Sequence, residues 1–156
     1  MDLIGKTILI TGATDGIGKV LAKEFSRLGS NIILLGKNSS KLDAVYDQLD
    51  DSFDSQKHLI LEVDLSHLNN ESAHEIFIAI SSEFDTLDGI IHNAAILGTM
   101  TPLEDYELSK WDEVLNINLR APFLLTKTLK SIIENSPMPR IIFTSSGVAN
   151  VGRAFW

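Results

Sequence analysis

The chain has 156 residues, 44% hydrophobic and 22% charged, with a mean hydropathy of +0.12, which is the length of one domain and the composition of a folded one. A net charge of −8 and a pI of about 4.8 exclude a broadly basic face, and with it a nucleic-acid partner or an anionic membrane surface. There is no cysteine, hence no disulfide and no thiolate metal site, and neither a signal-peptide pattern nor an apolar run near the ~20 residues that span a bilayer, so the cytoplasm is the default location.

Short β-rich runs alternate with longer amphipathic ones. Residues 6–11 (KTILIT) read as a first strand. A glycine-rich turn follows, then a helix over about 16–28, in which Ile17, Leu21, Phe25 and Leu28 recur at helical spacing and Gly29 marks the end. Residues 31–35 (NIILL) form a second strand, and Ser39 or Ser40 can cap a helix that turns Leu42, Val45, Tyr46 and Leu49 inward. Residues 58–63 (HLILEV) are a third strand, followed by a helix capped by Asn69 or Asn70 and reaching about Phe84. Residues 87–92 (LDGIIH) are a fourth strand. After a loop containing Pro102 comes one long helix, about 109–134, and after Pro137 and Pro139 a fifth strand, 140–144 (RIIFT).

The strands are near-continuous apolar runs, as expected of a parallel sheet covered on both faces. Strand–helix alternation with short connections implies right-handed βαβ units, hence an α/β, doubly wound (Rossmann) fold. The expected strand order is 3-2-1-4-5, with ligands beside the switch between strands 1 and 4. Residues 1–156 read as a single domain.

Residues 11–18 (TGATDGIG) sit between a strand and a helix, as a dinucleotide fingerprint requires. Gly12 permits the turn, Gly16 lets a pyrophosphate approach the backbone, and Gly18 lets the helix pack closely on the sheet. The free N–H groups and positive dipole end then face the phosphates. The second strand ends in Gly36-Lys37-Asn38, without the acid that bonds the ribose hydroxyls of NAD. Lys37 can pair with a 2′-phosphate, which favours NADP over NAD, while Asp15 nearby opposes that phosphate.

With these segments in view, the chain resembles the classical short-chain dehydrogenase/reductase family, whose TGxxxGIG signature matches residues 11–18. The match extends to cofactor contacts by Thr14, Asp15 and Ile17 within that turn. Asp64-Leu65 resembles the family segment that meets the adenine ring. His92-Asn93-Ala94-Ala95 resembles the NNAG segment after strand 4, with Ala95 where the family usually has Gly. Residues 116–119 (NINL) resemble the segment carrying a catalytic Asn, which points to Asn118. Residues 142–146 (IFTSS) resemble the end of strand 5 with the catalytic Ser, Ser146, or failing that Ser145. The wording around LDGIIHNA and IIFTSSGVANVGRAFW is close to bacterial YciK-type oxidoreductases.

The resemblance implies reversible hydride transfer between NADP or NAD and a small-molecule carbonyl or secondary alcohol. Ser146 would hold the carbonyl oxygen, and Asn118 a water in a proton relay. It also implies a homo-oligomer for the complete protein, built partly on the long helix. The family's Tyr-x-x-x-Lys comes about a dozen residues after its Ser, and the sequence stops at Trp156. The expectation is therefore a C-terminally incomplete reductase domain. The alternative is a non-catalytic dinucleotide-binding or interaction module.

Tyr106 and Lys110 match Tyr-x-x-x-Lys as text but precede Asn118, so they read as a decoy. Tyr46 reads as packing. Asp43, Asp47, Asp50, Asp51 and Asp54 read as a solvated face rather than a metal site. His58, His67, His74 and His92 lack ligand spacing, so no metal is expected. His92, beside Asn93, reads as packing with a secondary role near the site.

Overall fold

Five parallel strands run in the order β3-β2-β1-β4-β5, as the sequence implies: β1 (Thr7–Thr11), β2 (Asn31–Gly36), β3 (His58–Glu62), β4 (Gly89–His92) and β5 (Arg140–Phe143). They come from a computed structural model that describes residues 3–155. The pleat sends alternate residues of each strand to opposite faces. Ile8, Ile10, Ile32 and Leu34 meet α1 (Gly16–Arg27) and α2 (Ser39–Tyr46). Leu9, Ile33, Leu35 and Ile90 meet α3 (Asn70–Glu83), α5 (Ala121–Thr128) and α6 (Lys130–Glu134). Both faces are covered at β1 and β2, which is why those strands are apolar at every inner position.

Among the described residues β5 lies at an edge of the sheet. Its four residues are all exposed, Phe143 by 60%. Its apolar run is held to the sheet by β4 on one side only.

The inner face of α1 also differs from the periodicity reading. Gly18, Ala22 and Ser26 are its buried residues, while Ile17 and Leu28 are exposed. Small residues face the sheet because the helix lies too close for large ones. Leu21 and Phe25 flank the contact. On α2, Leu42 and Val45 are buried and Leu49 is partly so, but Tyr46 is turned outward with its ring edge on His58.

Two caps are now assigned. Asn38, not Ser39 or Ser40, caps α2, its side chain accepting from Lys41 N–H at 2.9 Å. Asn69 caps α3 in a reciprocal box with Ser72.

The long helix is not a single α-helix. α4 (Leu108–Leu115) passes into a π-helical turn, Asn116–Arg120, then α5 and α6. Pro122 is the physical reason. It has no N–H for the Asn118 carbonyl four residues back, and its ring crowds that carbonyl. The chain widens by one residue, and Ala121 N–H reaches Asn116 instead.

At the opposite end of the sheet from the strands' carboxyl termini, Asp88 ties three strands together. Its carboxylate accepts from Lys6 Nζ at 3.0 Å, Thr7 N–H at 3.0 Å and Ser136 Oγ at 2.7 Å. Its own N–H donates to Thr7 and its carbonyl accepts from Arg140. Burial alone would raise its pKa. The bonds from Thr7, Ser136 and Lys6 outweigh burial and hold it below the usual carboxylate value. Asp88→Ala should lower stability by about 2–4 kcal/mol in urea denaturation. The depressed folded pKa places the native contribution above the unfolded value, and it should fade as pH falls through the lower folded one. A loss under about 0.5 kcal/mol would mean that water serves the three donors equally well.

Candidate functional site: a cleft at the sheet's topological switch

The chain leaves β1 through Gly12, whose φ of +65° lies in the left-handed region. Gly12 and Ala13 N–H groups both donate to the Leu35 carbonyl, at 2.9 and 3.3 Å, which folds the turn over the end of β2. A Cβ on Gly18 would collide with the Gly12 carbonyl oxygen and come within 2.7 Å of Asn93 Nδ2. A Cβ on Gly16 would meet nothing within 4 Å. The first glycine makes the turn, the third makes the close contact, and the middle one borders open space. Asp15 caps α1, its Oδ1 accepting from Gly16 N–H at 2.7 Å.

Strands β1 and β4 diverge here, and two polar side chains tie them. Thr11 Oγ1 accepts from the N–H groups of Asn93 at 3.1 Å and Ala94 at 3.0 Å, and donates to the Ile91 carbonyl at 3.4 Å. Asn93 Nδ2 donates to the carbonyls of Thr11 and Gly12, and its Oδ1 accepts from Thr144 Oγ1 at 3.4 Å.

Above this floor lies a cleft of about 710 Å³. Of the residues singled out from sequence, Gly12, Thr14, Asp15, Gly16, Ile17, Lys37, Asp64, Leu65, Asn93, Ala94 and Ala95 line it. Gly18 does not, because it lies beneath the turn. Sequence reading missed Gly36, Val63, Ile96, Ile117 and Thr144, which also line it. Gly36, Val63 and Thr144 lie at or just past the carboxyl ends of strands and Ile117 lies in the long-helix motif, whereas Ile96 is placed by its bonds to Asn118 and had no local signal.

Lys37 is the one cation among these lining residues, with Asp15 and Asp64 the carboxylates. Asp64 accepts from Ser66 Oγ at 2.7 Å and Ser66 N–H at 2.9 Å. Those bonds, with smaller help from Lys37 and His67, hold its pKa below the ordinary carboxylate value.

Asn118 and Ser146 do not line the cleft. Asn118 sits in the π turn, and its amide is used at both ends by Ile96. Oδ1 accepts from Ile96 N–H and Nδ2 donates to the Ile96 carbonyl, each at 2.9 Å. It therefore fixes the loop that carries Ala95 and Ile96. Ser145 and Ser146 are exposed just beyond β5, and Ser146 precedes the short turn Gly147–Ala149.

The Tyr106–Lys110 pattern is spent elsewhere. Lys110 pairs with Glu113, and the Tyr106 ring meets Trp111 edge-on. His92 is 4% exposed, with Nε2 bonded to Thr126 Oγ1 at 2.9 Å and its ring stacked on Phe143 at 4.9 Å between centroids. Burial pushes its pKa down to about 4. Among the described residues no group of three His, Cys, Asp or Glu could hold a metal, and no helix is long and apolar enough to cross a membrane.

The sequence pattern of the short chain dehydrogenase family matches residues 6–156. The chain belongs to this family. It is 34% identical over 151 residues to YciK of Escherichia coli K12, described as an uncharacterized oxidoreductase, a match covering 97% of this chain and 60% of that protein. A short chain dehydrogenase structure from Pseudomonas syringae superposes with a TM-score of 0.93 at 36% identity, covering 99% of this chain and 62% of that one. Another, from Escherichia coli CFT073 in complex with NADPH, gives a TM-score of 0.89 at 35% identity, covering 99% and 65%. The chain thus spans under two thirds of the length of these relatives, and the likeness to YciK-type proteins read from sequence holds.

Family membership sharpens what the glycines should do when altered. Gly18→Ala must push backbone against backbone and should cost about 3 kcal/mol in chemical denaturation. Gly16→Ala meets only the strain of its φ of +48° and should cost about 1 kcal/mol. Equal losses would show that close packing is not what Gly18 supplies.

Proposed function

We propose that the cleft binds a nicotinamide dinucleotide, NADP(H) in preference to NAD(H). We further propose that the protein transfers hydride reversibly between that cofactor and a small-molecule carbonyl or secondary alcohol. The observation that carries the reading is the turn at the start of α1. Its third glycine is required by packing, while its second leaves open space beside the helix N-terminus and a lysine at the end of β2. Anions favour such a terminus, where unpaired N–H groups and the helix dipole point outward.

When bound, the nicotinamide would supply the hydride chemistry itself. The chain's residues bind and orient. The turn from Gly12 to Gly18, with Thr14 and Ile17, would receive the phosphates and the adjoining sugar. Asp64 and Leu65 would border the adenine, and Asn93, Ala94 and Ala95 the other ribose. Lys37 would pair with the 2′-phosphate, and Asp15 would weaken that preference by its charge. The NADPH complex of the Escherichia coli CFT073 relative supports the NADP reading.

Ser146, at the end of β5, would hold the carbonyl oxygen. Asn118 would contribute through position. Its side chain is committed to Ile96, and Pro122 removes the α-helical donor of its main-chain carbonyl, leaving that oxygen the better candidate to hold a water.

We also propose self-association through the outer face of α4 and α5. Leu108, Trp111, Leu115, Leu119 and Phe123 form an exposed apolar stripe at spacings of three and four residues. Replacing Leu119 and Phe123 together by Asp should convert a dimer to monomer in sedimentation velocity with the fold retained. A wild-type monomer at high micromolar concentration would remove this part of the proposal.

The cofactor reading is tested by ligand-dependent melting and titration. NADP(H) should raise the melting temperature. Lys37→Ala should weaken NADP(H) about tenfold or more, the worth of a charge-assisted phosphate contact, and NAD(H) by less than about twofold. Equal weakening of both would show that Lys37 does not read the 2′-phosphate.

A further inference from the structure

The pleat of β2 sends Ile32, Leu34 and residue 36 to one face of the sheet, toward α1 and α2. Ile32 and Leu34 are fully buried there, and the next position in that row is a glycine. Its surroundings give the reason. The turn out of β1 folds over the end of β2, with the Gly12 and Ala13 N–H groups on the Leu35 carbonyl. That brings the Thr14 methyl over Gly36. A Cβ at position 36 would stand 3.1 Å from Thr14 Cγ2 and 3.4 Å from Leu42 Cδ2.

Only one side of this contact can yield. Gly36 lies in the ladder opposite Glu62, and its carbonyl accepts from Val63 N–H at 2.8 Å. Leu42 is fully buried, and its distance is that of ordinary contact. Thr14 is partly exposed at the rim of the cleft. It stands between Ala13, which is fully buried, and Asp15, which caps α1. A side chain at position 36 would therefore move Thr14, and with it Asp15 and the first N–H groups of α1. The branched Cβ of threonine restricts rotation of the methyl out of the way.

We propose that Gly36 is a positioning residue for the dinucleotide: the notch left by its missing side chain seats the Thr14 methyl and so sets how closely the glycine turn lies on the end of β2. The inference rests on the cofactor reading above and adds a residue to it. The notch acts on a different part of the ligand from Lys37. Lys37 would meet the 2′-phosphate, which NAD lacks. The turn would receive the diphosphate, which both cofactors carry. A neighbour that gives by a few tenths of an ångström stretches the bonds from the turn to the phosphates without breaking them. Affinity then falls alike for both cofactors.

Titration of NADP(H) and NAD(H) against the wild type, Gly36→Ala, Thr14→Ser and the double variant tests this. Thr14→Ser removes Cγ2 and keeps the hydroxyl. In the wild-type background Gly36→Ala should weaken both cofactors by similar factors, about threefold to tenfold. In the Thr14→Ser background the same substitution should cost less than about twofold. Comparing backgrounds cancels the entropy that any alanine takes from the unfolded chain. Equal losses in the two backgrounds, a loss confined to NADP(H), or no loss would each overturn the proposal.

Melting without cofactor separates the notch from the cofactor reading. Gly36→Ala should lower the melting temperature by about 2–4 °C more in the wild-type background than in the Thr14→Ser background. Equal shifts would show that Gly36 does not seat Thr14. A wild type that binds neither cofactor would overturn the cofactor reading and the affinity effect with it, while the melting difference still decides the seat. If Gly36→Ala alone does not fold, folding of the double variant supports the seat, and failure of both overturns it.

Discussion

The contact of α1 with the end of β1 governs everything built above the sheet. Gly18 lies against the Gly12 carbonyl, and Asn93 Nδ2 bonds that same carbonyl close beside it. The approach forces small residues onto the inner face of α1, with Ala22 and Ser26 continuing the line. It brings the helix N-terminus to the point where β1 and β4 part, and so fixes where a cleft can exist. Thr11 and Asn93 use their side chains to close the polar backbone groups that diverging strands would leave unpaired.

Charge is distributed unevenly along the strands. At their amino ends Asp88 is surrounded by donors and gathers β1, β4 and β5. At their carboxyl ends the lining residues hold one cation against two carboxylates, in a protein whose net charge is −8. An anionic ligand arriving there is repelled by the molecule at large and drawn in by local donors. On the proposed reading, recognition of the cofactor would rest on short-range geometry at the turn and at Lys37 rather than on long-range attraction.

Much of this was legible in the sequence. Strand order followed from the alternation of apolar runs and helices, the turn residues from the glycine fingerprint, and Asp64, Leu65, Asn93, Ala94 and Ala95 from the family resemblance. What escaped has physical causes. Helical periodicity marked Ile17 and Leu28 as inward because it cannot register how near the sheet lies, and at close range size outranks hydrophobicity. Ser39 and Ser40 looked like caps, but Asn38 reaches the Lys41 N–H first. Asn118 was singled out by its motif, but its two hydrogen bonds to Ile96 span 22 residues and leave no trace in local spacing. Pro122 was the one readable warning that the long helix would not be regular.

The π turn at Asn116–Arg120 has a bearing on how this part of the molecule can change. It holds one residue more than an α-helical turn would need for the same advance. Removing a residue there would restore ordinary winding and leave everything downstream in its present phase, whereas removing one from α4 would turn everything downstream by about 100° about the axis. Leu124, Leu125 and Leu129, now sealed against the sheet, would swing toward water, and the stripe through Leu119 and Phe123 would be split. The wide turn therefore takes up the extra residue without changing the phase between the two helical faces, so the loss of one residue is absorbed more readily here than in α4.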